Sequence, residues 1–162
     1  MNNIELLIGA YIEVFLMVGG GLGLIGIRPK LSRIAVMAGI MGAIVVGVRN
    51  FYIYNKIPFG THSFILMVFM TTIIHKIGKQ TFLDSTVATL ASFLLLFWGE
   101  GVFFFPILKF LHFDPFTTMG APGMRLLGIL LSDVLLIIAF VMCYLFKVTL
   151  IDLKKFHYTE KM

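Results

Sequence analysis

Three acidic residues lie inside long apolar runs: Glu13 within Leu6–Ile27, Glu100 within Thr86–Phe105, and Asp133 within Leu126–Phe146. Each run is long enough to cross a bilayer as a helix. A carboxylate near the middle of such a run costs ~2.5 kcal/mol or more, so it normally faces protein or water rather than lipid. The apolar runs also fix how deep each acid sits. At ~1.5 Å per residue, Glu13 and Asp133 each lie ~10 Å below one end of their helix, and Glu100 lies ~8 Å below that end. All three therefore fall at one level, in the half of the membrane where Arg49, His62 and Arg125 stand at the ends of neighbouring helices. Acids, cations and an imidazole at one depth can bind a small polar ligand or an ion. On this reading the ligand-binding residues are Glu13, Glu100, Asp133, Arg49, His62 and Arg125. The plainer reading is that acid and arginine neutralise one another and fix packing, because buried polar groups need partners. For His62 the plainer role is a hydrogen bond at a helix start. A third reading leaves one acid uncharged among the lipid headgroups.

Other chemistries lack their parts. Cys143 is the lone cysteine, which excludes an intrachain disulfide. A cysteine peptidase needs a paired base, and no histidine lies near Cys143 in sequence; His75 is the one partner considered. The chain has no zinc-binding pair, no nucleophile elbow and no phosphate-binding glycine loop. No catalytic residue, metal ligand or cofactor is expected, and the protein is read as a non-enzyme.

Positioning these residues requires an all-α fold, a polytopic integral membrane helix bundle. The 162 residues are 59% hydrophobic and 13% charged, with a mean hydropathy of +1.00. A soluble domain carries roughly 25% charged residues, and half of that leaves too little polar surface to cover a globule. Five spans are expected: Leu6–Ile27, Ile34–Val48 with a start as early as Leu31, Thr61–Ile77, Thr86–Phe105 capped by Asp84 or Ser85, and Leu126–Phe146. They form a single bundle over residues 1–146, followed by a short basic tail over 147–162 that can form an interfacial helix. Leu6–Ile27 is too long, and its leader lacks the basic residues, for a cleaved signal peptide. Segments Arg49–His62 and Ile107–Phe116 read as interfacial, and Gly120–Gly123 as a flexible link.

Small residues four apart on the second span (Ala38/Gly42, Gly39/Ala43, Ala43/Gly47), with Gly19, Gly20, Gly21, Gly23 and Gly26 on the first, predict a close pairing of those two helices. A break of the first helix around Gly19–Gly21, exposing backbone to a ligand, is the sharper alternative. Methionines and phenylalanines are read as core or lipid-facing filler, with Phe97, Trp98 and Phe103–Phe105 as candidates for the mouth of a pocket.

Basic residues set the orientation. Nine of the thirteen Lys and Arg fall in the first loop, the third loop and the tail, and four on the other side. The positive-inside bias then places the N-terminus outside and the tail in the cytoplasm. The net charge of +5 suits an anionic lipid surface and not nucleic acid, because the basic residues are neither clustered nor interleaved with stacking aromatics.

The Ile-Pro-Phe-Gly-x-His turn at Ile57–His62, the lysine-bounded end of the third span, Phe82–Phe105 with its single Glu100, and Arg125 opening the last span resemble a known pattern. Residues Tyr52–Phe146 resemble the multi-span membrane sensor regions of clostridial and related Gram-positive sensor histidine kinases, the sporulation- and agr-like group. The resemblance implies a signal detected by the bundle and a cytoplasmic C-terminus. Those regions precede a kinase domain, and none lies within these residues, so the output would come from a partner unless the chain is a fragment of a longer protein. The function expected is a non-enzymatic membrane sensor or accessory subunit that binds a small ligand or peptide in the outer half. The alternative is a small transporter, substrate-binding membrane subunit or ion-conducting oligomer that uses the intramembrane carboxylates. The partners expected are the lipid bilayer, a cytoplasmic or membrane protein and further copies of the chain, with no nucleic acid. The location expected is the cell membrane, as a multi-pass protein.

Overall fold

The computed structural model describes residues 3–57, 61–110, 124–144 and 146–150, with the side chains of all of these except 3–5 and 124–127. All regular structure among the described residues is helical. The elements are α1 (Asn3–Leu24), α2 (Leu31–Tyr54), α3 (His62–Lys76), α4 (Phe82–Gly99), a π-helical turn (Glu100–Phe104), α5 (Phe105–Phe110), α6 (Met124–Ser132) and α7 (Val134–Tyr144). Three stretches are long and apolar enough to cross a membrane: Leu6–Leu24, Leu31–Tyr54 and Phe82–Phe110. His62–Lys76 and Val134–Tyr144 are shorter apolar helices.

Helix α1 takes the centre, where its glycines let neighbouring helices approach closely. It packs against α2, α4 and α7, and α3 closes the arrangement by packing on α2 and α4. Val14, Val18, Leu22, Ile34, Met37, Met41, Met70, Ile74 and Leu136 are fully buried and form one core with their neighbours. Outside it, Val36, Ile40, Phe64, Val68, Leu94, Trp98 and Phe105 are exposed around the bundle. In water so broad an apolar surface would drive association; against acyl chains it is the expected surface.

The close pairing of α1 with α2 expected from sequence is present, but the closest approaches of the α1 glycines are to other helices, with Gly19 also meeting α2, at Ile34. A Cβ at Gly21 would strike the Ala88 carbonyl and Ser92 hydroxyl of α4, one at Gly19 the Phe140 ring, and one at Gly23 the Cys143 side chain. The α1–α2 contact rests instead on Gly42, where a Cβ would lie 3.5 Å from the Tyr11 backbone. Gly39 and Gly47 meet nothing within 4 Å, so the row through Gly39, Ala43 and Gly47 faces outward. Helix α1 also runs unbroken through Gly19–Gly21, which removes the broken-helix alternative. It stops where Gly26 takes φ +81°, a conformation that glycine adopts without penalty, and Ile27 N donates to Leu22 O at 2.9 Å.

Several helix ends differ from the sequence reading. Helix α2 continues past Val48 to Tyr54, because no proline or glycine interrupts it before Pro58, and the Asn55 amide caps it by donating to Phe51 O at 2.8 Å. Arg49 is therefore helical, not part of an interfacial loop. Helix α4 starts earlier, with Thr81 as its cap accepting from Asp84 N at 3.1 Å; Asp84 and Ser85 lie inside the first turn. At its far end the helix does not stop at Phe105. Phe105 N bonds to Glu100 O in the π turn, and helix resumes through Pro106 to Phe110. Proline removes a donor and crowds the carbonyl four residues back; a widened turn just before it relieves that crowding. The last predicted span comprises α6 and α7, joined at Asp133, where α-helical bonds from Asp133 N to Ile129 O at 2.9 Å and from Ile137 N to Asp133 O at 2.8 Å carry the helix through. Of the segments read as interfacial or flexible, residues 111–116, 120–123 and 151–162 lie outside the described residues. Residues 147–149 are not helical, so the interfacial helix expected of the tail does not include them.

Candidate functional site

At the end of the bundle where α1 begins, α2 ends and α3 begins, four helices leave a cavity of about 200 Å³. Each contributes one face. From α1 come Glu13, Val14 and Met17; from α2 Met41, Val45 and Arg49; from α3 His62, Ser63, Leu66 and Met70. Phe93, Leu96 and Phe97 of α4 and Glu100 at the start of the π turn complete the lining. The spacing is that of a helix face, residues three or four apart on each element. Met41, Val45 and Arg49 are one such row, and Phe93, Leu96/Phe97 and Glu100 another.

The polar groups sit at one end of this apolar chamber. Arg49 Nη2 donates to Glu13 Oε2 at 3.3 Å and lies 3.5 Å from Oε1. The two side chains are 26% and 13% exposed, so the pair is screened by water only in part. Glu100 lines the cavity within electrostatic reach of both Glu13 and Arg49. Its carboxylate makes no hydrogen bond or ion pair among the described residues. Tyr52, whose ring packs edge-on against His62 at 5.9 Å, donates or accepts through its hydroxyl at 3.0 Å from Thr61 Oγ1, and so ties α2 to the start of α3.

Asp133 is placed differently. It is fully buried at 0% exposure, and neither side-chain oxygen has a hydrogen-bond partner among the described residues. It does not line the cavity but lies behind it, within electrostatic reach of Glu13, Glu100 and Arg49. The helices are locked together beside it. A Cβ on Gly99 would run into Ser132 O, so the residues just before Glu100 and Asp133 touch backbone to backbone. Only glycine permits that approach. Glu100 opens a π turn, whereas Asp133 keeps α-helical bonds through its own backbone, its N donating to Ile129 O at 2.9 Å and its O accepting from Ile137 N at 2.8 Å.

Of the six residues singled out from the sequence, the structure brings four, Glu13, Arg49, His62 and Glu100, into one cavity. Asp133 adjoins it. Arg125 is in the first turn of α6, with its side chain outside the described residues. Phe97 joins the lining, whereas Trp98 is 63% exposed on the outer surface. Ser63, Met17, Met41, Met70 and Phe93 were not expected in the site; their helical spacing from Glu13, Arg49, His62 and Glu100 was the available signal. His75 and Cys143 are not brought together as a catalytic pair: His75 Nδ1 lies 2.7 Å from Gln80 O, and Cys143 is buried against α1. The described residues contain no cluster of metal-ligating side chains.

The opposite end of the bundle is held by main-chain contacts. Arg28 Nε donates to Cys143 O at 2.8 Å, and Tyr144 OH donates to Pro29 O at 3.2 Å. A cation on the last carbonyls of α7 also suits the helix dipole. Leu150 N donates to Leu24 O at 2.9 Å. The start of the tail is thereby tied to the end of α1 and the loop after it.

Comparison of the chain with protein-family models, with curated proteins and with solved structures finds no match. The site is therefore read from its own geometry.

Proposed function

We propose that the chain is a multi-pass membrane protein of five crossings whose cavity binds a small ligand from outside the cell and relays its occupancy to a partner on the cytoplasmic side. One observation carries this reading: Glu13, Arg49, His62 and Glu100, from three helices and a π turn, line a single cavity at one end of the bundle. Arg28, Lys30, Arg33, Lys76 and Lys79 fall at the other end, and the loop-charge bias makes that end cytoplasmic. The relay runs through α1. Glu13 stands in the cavity wall, and eleven residues further along, at Leu24, the same helix reaches the contact that holds the tail. The resemblance of Tyr52–Phe146 to the sensor regions of Gram-positive histidine kinases supports the same reading.

The test uses the full chain in lipid nanodiscs, with small polar metabolites and short peptides screened by thermal shift. A nitroxide on Lys147→Cys, in a Cys143→Ala background, reports on the tail. A binder is expected to raise the melting temperature, to change the nitroxide's mobility, and to lose both effects in a cavity-filling Val45→Trp variant. Binding unaffected by that variant would overturn the proposal.

A second reading, transport through intramembrane carboxylates, draws on Asp133, a fully buried acid within an apolar helix. Flux of the same binder into proteoliposomes holding the purified chain alone would favour transport. Binding without flux favours the sensor or accessory role.

A further inference from the structure

We propose that the occupant of the cavity is a small organic cation, an ammonium group on an alkyl or aryl body, with Glu100 as its counter-ion. The inference deepens the reading of the cavity as a ligand site and rests on it. The described side chains at and behind the cavity bring three carboxyl groups, one guanidinium and the His62 imidazole together, so the acids outnumber the basic groups. Arg49 is already answered by Glu13 at 3.3 Å. Glu100 has no such answer: its carboxylate faces the cavity without an ion pair or hydrogen bond among the described residues. Asp133, buried at 0% exposure with both oxygens unpartnered, adds to the acidic surroundings. A charge held in a low-dielectric interior without a partner is costly, and a cation in the cavity supplies the partner Glu100 lacks. An anion would meet Glu13 across the donors of Arg49 and Glu100 opposite.

The walls choose among cations. No described group of side chains has the spacing to hold a metal ion, and a cavity of about 200 Å³ is too roomy for a bare one. It is also smaller than the sites that take drug-sized molecules. Phe93 and Phe97 stand with ring centroids 6.1 Å apart and planes tilted by 56° beside Glu100, and aromatic faces attract ammonium groups. Met17, Met41 and Met70 supply polarizable, adaptable surface for the apolar body.

The test titrates three probes of one shape, benzylammonium, benzyl alcohol and benzoate, against the full chain in nanodiscs. Benzylammonium is expected to bind at least roughly tenfold more tightly than the other two, the worth of one hydrogen bond to a charged group. Glu100→Gln should abolish that preference. Glu100→Asp should keep it at reduced affinity, and it serves as the deciding variant if the glutamine form does not fold. Equal binding of the three probes, or a preference for benzoate, overturns the cation assignment and leaves the ligand cavity standing. If none of the three binds, both the assignment and the cavity reading fail.

Discussion

Arg49 and Glu13 divide the work of the cavity wall: their pairing neutralises two charges and leaves Glu100 as the carboxylate facing the space. Because the pair is largely shielded from water, removing one partner strands the other. Glu13→Gln is expected to lower stability by about 1.5–3 kcal/mol, and the double variant Glu13→Gln/Arg49→Met to recover part of that loss, as read from melting in nanodiscs. Asp133 should behave in the opposite way. Its oxygens have no partner to lose among the described residues, so Asp133→Val is expected to raise stability by about 1 kcal/mol, within the ~1–3 kcal/mol that an unsatisfied buried polar group costs. A loss of similar size would show that Asp133 is held by a group outside the described residues. These residues differ in how legible they were. Counting along an apolar run gives the depth of an acid but not the direction it faces around the helix. Depth alone was enough to group Glu13, Arg49, His62 and Glu100, and insufficient to show that Asp133 stands behind the cavity wall. The methionines and phenylalanines of the lining were harder still, since an apolar side chain looks the same in sequence whether it faces lipid, core or cavity.

Glycine has opposite meanings on different helices. At Gly99 the neighbour is the Ser132 carbonyl, a backbone atom that cannot swing aside. Gly99→Ala is therefore expected to cost about 1–3 kcal/mol and to disturb ligand binding through Glu100, the next residue. At Gly39 the space is open, and Gly39→Ala should be neutral or gain up to ~1 kcal/mol from helix propensity. Melting of the two variants side by side checks the assignment, and equal effects would contradict it. Helices as such were legible from apolar length and from punctuation by Pro29, Pro58 and Gly78. Their ends and irregularities were not. A π turn at Glu100–Phe104 has no sequence signature of its own, and without it Pro106 reads as a stop. The partner of each glycine was equally hidden, because small-residue spacing marks a face that permits close approach without naming the helix that approaches.

The whole molecule is an all-α bundle wound around α1, with an acidic cavity at one end and basic loops at the other. That polarity gives α1 a part in any relay, since it reaches from Glu13 to the Leu24 carbonyl that holds Leu150. Arg28→Gln removes the charged contact on the last carbonyls of α7. It is expected to increase the mobility of a nitroxide on Lys147→Cys and, because coupling between two sites is reciprocal, to shift benzylammonium affinity as well; a mobile tail with unchanged affinity would mean that the two ends are not coupled. Composition made the membrane class plain before any coordinates, because the polar surface a soluble globule needs is missing. The arrangement of helices around α1 was not readable in the same way, since helix order in a bundle depends on which faces match, and apolar faces in lipid are nearly alike. The most direct measurement of the central claim is external thiol labelling. In a Cys143→Ala background, Ser63→Cys places a single thiol in the cavity lining, and a membrane-impermeant maleimide is applied to sealed cells. Ser63→Cys is expected to label without permeabilisation, and more slowly when benzylammonium is present. Labelling that appears only after the membrane is opened would put the cavity on the cytoplasmic side and contradict the claim.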